Sequence, residues 1–122
     1  MIIQESGEMY LETILVLSKE QEYVRSVDIA RKLNYSKPSV SRAMKNLKEE
    51  GYIDIDENGH IFLRKKGKEV AEKIYERHEI LTKCLISLDI DPRIAEEDAC
   101  RIEHIISDET FERIRIYTKN IS

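Results

Sequence analysis

The sequence predicts a mainly α-helical protein with one small β-hairpin, a winged helix-turn-helix domain over residues 1–64 followed by a helical domain over 65–122. Three observations carry that prediction. Two short amphipathic helical patterns, Ser26–Leu33 and one beginning near Ser36, are separated by only a few residues. Two period-two stretches flanking Asn58-Gly59 follow at once. From Lys65 onwards the apolar spacing is that of helices alone.

From Gly7 to Leu17, Met9, Tyr10, Leu11, Ile14, Leu15 and Leu17 share one side of a helix, with Ser6 its expected N-cap. Gln21–Val24 reads as a connector. Val27, Ile29, Ala30 and Leu33 give the next helix an apolar face, and Asn34-Tyr35 breaks it. Pro38 falls in the first turn of the following helix, where its missing N–H costs nothing. Val40, Met44 and Leu47 form that helix's buried stripe, and Gly51 stops it. Tyr52–Ile55 and His60–Leu63 alternate around Asp56-Glu57-Asn58-Gly59, and Asn58-Gly59 suits a type I′ turn, in which both residues take positive φ.

Lys65, Lys66 and Lys68 open a long helix through Ile74, Tyr75, His78, Leu81 and Leu85 to about Leu88, where Leu88–Pro92 breaks it. Helices are expected at about Pro92–Ile106 and Asp108–Thr118, the last capped by Ser107 or Asp108. Cys84 lies in the apolar stripe of the long helix and reads as packing, whereas His60 reads as a wing surface residue without a partner.

The 122 residues suit one main core with a helical extension, and 41% apolar residues recurring periodically mark an ordered chain. No apolar run approaches the ~20 residues of a membrane span, and the opening Met1-Ile2-Ile3-Gln4-Glu5 lacks a signal-peptide pattern, so a cytoplasmic location is expected. Cys84 and Cys100 do not make a disulfide framework in that compartment. No repeat, low-complexity segment or phosphate-cradling glycine loop occurs.

The net charge is −4, yet Arg25–Lys48 holds seven basic residues against the single acid Asp28. A basic block on an acidic protein suits a phosphate-facing surface, because duplex affinity comes largely from local phosphate neutralisation. The second helix of a helix-turn-helix enters the major groove with its N-terminal residues. The candidate DNA contacts are therefore Arg25, Ser36, Lys37, Pro38, Ser39, Ser41, Arg42 and Lys45. Arg42 is assigned to guanine, whose O6 and N7 a guanidinium can bond together. Lys37 and the helix N-terminus are assigned to phosphate. Ser36 and Pro38 would also cap and start a helix in a protein that never meets DNA.

Cys100, Glu103 and His104 at i, i+3 and i+4 place a thiolate, a carboxylate and an imidazole on one helical face, donors that a borderline divalent metal accepts together. Three donors leave a site open, and Met9, Glu12 and His78 are the candidate remainder. Spacing alone slightly favours a buried Cys100 beside a surface Glu103-His104 pair over a metal site, and Met9 alone is more often a core residue than a ligand. No nucleophile–base pair or paired-carboxylate cleft points to an enzyme.

The runs Ser6-Gly7-Glu8-Met9-Tyr10-Leu11-Glu12-Thr13-Ile14, Ser36-Lys37-Pro38-Ser39-Val40-Ser41, Arg77-His78-Glu79 and Asp98-Ala99-Cys100-Arg101-Ile102-Glu103-His104 with Ser107-Asp108-Glu109 resemble the diphtheria toxin repressor family of iron- and manganese-dependent repressors, manganese transport regulators included. The resemblance spans essentially the whole chain. It implies a winged-helix domain and a helical dimerisation domain, a homodimer on double-stranded operator DNA, and no membrane association. By position, Met9, Cys100, Glu103 and His104 resemble the activating site of iron-type members, His78 a histidine shared by both branches, and Glu12 a ligand of the manganese branch. Thr82 stands where iron-type members have a glutamate ligand and Glu96 where they have a histidine, which puts an ancillary site in doubt. The chain ends at Ser122 without the third, SH3-like domain of the longer repressors, as manganese-type members do. The implied cofactor is Fe²⁺ or Mn²⁺, with softer Met and Cys donors favouring Fe²⁺, while Zn²⁺, Co²⁺ or Ni²⁺ would bind in vitro. The alternative is a metal-independent winged-helix regulator that senses redox state or a small ligand.

Overall fold

The computed structural model describes residues 5–121. Six helices and one hairpin follow in the order α1 (Glu5–Glu20), α2 (Ser26–Leu33), α3 (Lys37–Glu49), β1 (Ile53–Ile55), β2 (Ile61–Leu63), α4 (Lys65–Ser87), α5 (Pro92–Ile102) and α6 (Asp108–Ile121). The chain divides into two compact units, and the division falls inside α4 between Glu72 and Lys73. Among the described residues no helix is long and apolar enough to cross a membrane.

In the N-terminal unit α1 packs on α2 and β2, α2 on α3, and α3 on β1. Leu11, Ile14, Ile29, Val40, Met44 and Ile53 are each at most 1% exposed, so the apolar stripes of three helices and the hairpin meet in one core. Helix α1 starts at Glu5, which puts Ser6 inside its first turn and not at its cap. It also runs on to Glu20, with Gln21 N donating to the Leu17 carbonyl. Helix α2 ends where Asn34 takes φ 58°, ψ 43°, the left-handed conformation that asparagine tolerates. Ser36 then caps α3, its hydroxyl accepting from Ser39 N, with Pro38 in the first turn. Past the C-cap Glu50, Gly51 takes φ +85° and turns the chain into the wing.

The hairpin pairs antiparallel in the register Ile53↔Leu63, Asp54↔Phe62 and Ile55↔Ile61. Its loop departs from the expected two-residue type I′ turn. Gly59 has positive φ but Asn58 does not. Gly59 N donates to the Asp56 carbonyl and Asp56 N to the His60 carbonyl, so the loop has three residues with glycine at the left-handed position. The Asp56 carboxylate supplies the reason: its Oδ1 accepts from Asn58 N at 2.8 Å and His60 N at 2.9 Å, which rewards the longer loop.

In the C-terminal unit, Ile74, Leu81, Ala95, Ala99 and Phe111 are buried. Helix α4 ends as Asp89 adopts φ 65°, and Asp91 caps α5 by accepting from Arg93 N, with Pro92 at its first position. Helix α5 stops at Ile102, four residues short of the expected Ile106. The carbonyls of Glu103 and Ile106 accept from the Arg77 guanidinium, which takes over from the helical N–H donors and lets the chain turn. Ser107 caps α6 by accepting from Thr110 N, and that helix continues past the expected Thr118 to Ile121. This unit also leaves Leu88, Ile94, Ile105 and Tyr117 more than half exposed.

Candidate metal centre and nucleic-acid interface

Glu103, the C-cap of α5, is 0% exposed. A buried carboxylate is costly unless paired, and two imidazoles flank this one. His78 Nδ1, from α4, lies 2.9 Å from Glu103 Oε2, and His104 Nε2, from the turn after α5, lies 3.2 Å from Glu103 Oε1. Cys100 stands one turn earlier on α5, exposed. Ligating atoms of His78, Cys100 and Glu103 lie within 4.8 Å of one another, close enough to share one ion. Thiolate, imidazole and carboxylate together form the mixed hard and soft set that borderline divalent transition metals accept.

Burial reverses the alternative that spacing had left open: Cys100 is exposed, while Glu103 and the His104 side chain are 0% and 3% exposed. Because α5 ends at Ile102, only Cys100 of the triple is on a helix; Glu103 caps it and His104 lies in the turn. Glu96, exposed on α5, has its Oε1 3.9 Å from His78 Nε2, and a cavity of about 340 Å³ is lined by His78, Arg93, Glu96, Glu97 and Cys100. Thr82 is half-buried on α4, and its Oγ1 is buried without a hydrogen-bond partner. Cys84 is half-buried.

Arg77 is the residue that sequence reasoning missed. It is 5% exposed, and its Nη1 donates at 3.0 Å to both the Glu103 and Ile106 carbonyls. Its Nη2 bonds the Asp108 carboxylate, which Lys73 also approaches at 3.2 Å. A signal was present: Arg77 falls three residues after Ile74 and four before Leu81, on the buried stripe of α4. Lys73 first, then Arg77, hold the Asp108 carboxyl below its ordinary range.

Met9 and Glu12 lie on α1 of the N-terminal unit, both half-buried, and Tyr35 Oη contacts Met9 Sδ at 3.8 Å. In the same unit, Lys37, Pro38, Ser39, Ser41, Arg42 and Lys45 are exposed on α3 around its buried Val40-Met44-Leu47 stripe. Ser36 is exposed at the cap, its hydroxyl 2.8 Å from Ser39 Oγ, and Arg25 is exposed at the N-cap of α2. A polar, basic outer face on the second helix of a helix-turn-helix presents donors to base edges and phosphates. His60 corrects the sequence reading: it is not partnerless, for it meets Arg25 and Asp56 and stacks on Tyr23.

Comparison with known proteins places this geometry. Residues 3–61 match the family described as iron dependent repressor, N-terminal DNA binding domain, and residues 64–122 the metal binding and dimerisation domain of the same repressors. The transcriptional regulator MntR of Escherichia coli O6:H1 is 36% identical over 110 residues, 90% of this chain and 71% of that protein. A helix-turn-helix regulator of Methanocaldococcus jannaschii is 34% identical over 117 residues, 94% of both chains. Among solved structures, the manganese regulator SloR superposes with a TM-score of 0.82 at 30% identity over 98% of this chain, and IdeR of T. acidophilum with 0.76 at 26% over 93%. The chain spans 55% and 53% of those two solved proteins. The two family models describe a DNA-binding domain and a metal-binding and dimerisation domain, and the family consists of transcriptional regulators, not enzymes. The chain belongs to the iron-dependent repressor family of metal-dependent transcriptional repressors.

Proposed function

We propose that this chain represses genes of metal-ion homeostasis as a cytoplasmic homodimer, with residues 1–64 reading operator DNA and residues 65–122 binding metal and dimerising, and that Fe²⁺ or Mn²⁺ activates it. The observation that carries the reading is the buried Glu103 carboxylate between His78 and His104, with Cys100 Sγ in ligating reach of His78 and Glu103. Cys100, Glu103, His104 and His78 are the proposed donors in the C-terminal unit. Met9 and Glu12 complete the set on the strength of the family resemblance. A bound divalent ion supplies positive charge that draws these donors together and displaces their protons.

Fe²⁺ is the preferred ion, because a thiolate and a thioether soften the donor set. Mn²⁺ is the second reading, favoured by the similarity to a protein described as a manganese regulator. The exposed Leu88, Ile94, Ile105 and Tyr117 support a partner subunit on the C-terminal unit. A symmetric dimer would place two α3 helices in major grooves about 34 Å apart, with Arg42 on base edges and Arg25, Lys37 and Lys45 on phosphates. Ser36, Pro38, Ser39 and Ser41 set and supplement those contacts at the start of α3. Linkage requires DNA to tighten metal binding by the factor with which metal tightens DNA binding.

The test is binding of the metal-stripped protein to its promoter-region duplex, anaerobically, with and without excess Fe²⁺ or Mn²⁺. A large metal-dependent gain supports the proposal and ranks the ions. Equal binding in every sample would favour a metal-independent regulator.

A further inference from the structure

The wing carries a chain of side-chain contacts that includes none of the candidate metal ligands. His60 follows the turn glycine, and its side chain is 14% exposed. Its Nδ1 lies 3.3 Å from Asp56 Oδ2 and its Nε2 3.2 Å from Arg25 Nη2. A carboxylate only accepts and a guanidinium only donates, so one arrangement satisfies both contacts: a neutral imidazole with its proton on Nδ1 and its lone pair on Nε2.

The surroundings fix that ring. Tyr23 stacks on it with centroids 4.2 Å apart and planes 15° from parallel. The adjoining backbone is tied as well, Ile61 N donating to the Val24 carbonyl at 2.7 Å. Arg25 N donates to Asp28 Oδ2 at 2.9 Å, and Gln21 Nε2 bonds both that carboxylate and the Tyr23 carbonyl. The wing and the start of α2 are thus joined through His60 and Arg25, all within the N-terminal unit.

We infer that His60 is a positioning residue for DNA binding: as the Nδ1-protonated neutral tautomer it holds the exposed Arg25 guanidinium at the N-terminus of α2, directed at a backbone phosphate of the duplex. The inference rests on the DNA-binding reading above. The first helix of a helix-turn-helix crosses the sugar-phosphate backbone, which brings phosphate to the N-terminus of α2. One of the five guanidinium N–H donors is occupied by His60, and the others remain for a phosphate. An arginine already held in place loses less side-chain freedom on binding than a solvated one.

The test uses the Mn²⁺-loaded protein and a mixed-sequence duplex at about 50–200 mM salt, a range over which phosphate contacts are read as the slope of log affinity on log salt. Arg25→Ala is expected to weaken binding by roughly 5- to 10-fold and lower the slope by about one ion. His60→Ala is expected to weaken it by roughly 3- to 5-fold alone but by less than about 2-fold when Arg25 is already alanine. His60→Gln, whose Oε1 can accept from the guanidinium, keeps most of the affinity. Equal losses from His60→Ala in both backgrounds, no loss in either, or a glutamine variant as weak as the alanine variant overturns the inference. Nitrogen NMR of the free protein gives a reading without DNA, and an Nε2-protonated His60 overturns it too. A wild-type chain that binds no duplex while showing the Nδ1-protonated tautomer would sink the DNA-binding reading instead, and this inference with it.

Discussion

Arg77 Nη1 donates to the Glu103 carbonyl at 3.0 Å, so the residue just before one metal-ligand candidate holds the backbone of another. The same nitrogen holds Ile106, and the guanidinium also bonds Asp108 and lies over the Phe111 ring, 5.2 Å from its centroid. One buried cation therefore fastens the end of α5, the turn bearing His104 and the start of α6. Arg77→Gln should destabilise the metal-free protein by about 3 kcal/mol, because it leaves the Glu103 and Ile106 carbonyls short of donors and strips Asp108 of one cation. Urea unfolding measures this, and a loss under about 1 kcal/mol would show that the turn holds without the guanidinium. Arg77→Lys should recover less than half, since an ammonium lacks the planar fork whose one arm holds both carbonyls while the other holds Asp108.

Asp108 makes the C-terminal unit acid-sensitive. Lys73 and Arg77 hold its folded pKa below the ordinary value, so its stabilisation is fully present above that value, about 4, and is lost as pH falls through the lowered one. Thermal melts of metal-free wild type and Asp108→Asn should be separated by a constant gap from pH 7 to about 5 and converge below about 4. A gap that widened on acidification would contradict the assignment.

Gly67, in the first turns of α4, is a close-approach glycine within the N-terminal unit. A Cβ there would run into the Tyr52 carbonyl oxygen, with a Leu11 methyl 3.4 Å away. Lys66 Nζ sits 4.1 Å from the centroid of the Tyr52 ring, so the helix is pressed against that residue. Gly67→Ala should cost about 2 kcal/mol, against the usual preference for alanine in helices, because backbone must move. Gly59→Ala, open on all sides but at φ +80°, should cost about 1 kcal/mol through strain alone. Chemical denaturation of both variants would rank the two causes.

Helix pairs, the hairpin and the caps other than Ser6 were legible in the sequence because each is set by local chemistry: Ser36 before Pro38, Asn34 and Gly51 at helix ends, and apolar stripes at helical spacing. The exceptions are one local competition in the hairpin loop and several side chains whose roles depend on residues distant in sequence. Asn58-Gly59 suited one turn type until the Asp56 carboxylate bonded two backbone N–H groups and selected another. His60 looked solitary because Arg25 is 35 residues away. Residue spacing placed Cys100, Glu103 and His104 near one another but could not show that glutamate, and not cysteine, is the buried member. That reversal depends on where α5 ends, and α5 ends where Arg77 reaches it.

If Cys100 supplies a thiolate, Co²⁺ bound to the apo-protein should show a sulfur-to-cobalt charge-transfer band in the near ultraviolet. Cys100→Ser should abolish that band and weaken metal binding by about tenfold or more, leaving the fold intact because the residue is exposed. Glu103→Gln should weaken binding while keeping the band. A wild-type complex with no sulfur band would remove Cys100 from the ligand set and leave the argument that softness favours Fe²⁺ over Mn²⁺ resting on the Met9 thioether alone.

Arg42 and Lys37 are both exposed on α3, yet their proposed tasks differ and so should their variants. A guanidinium bonded to guanine O6 and N7 discriminates bases, so Arg42→Ala should cost about 1–3 kcal/mol on the operator and relax the choice of base at one position per half-site. An ammonium on phosphate carries no such information. Lys37→Ala should weaken operator and mixed-sequence duplexes by similar factors and reduce the salt slope by about one. Both can be read from titrations on two duplexes at three salt concentrations, with metal saturating throughout. If Arg42→Ala instead weakened both duplexes equally and lowered the slope, Arg42 would be a phosphate contact, and base choice would have to come from Ser39, Ser41 or the bending of the operator itself.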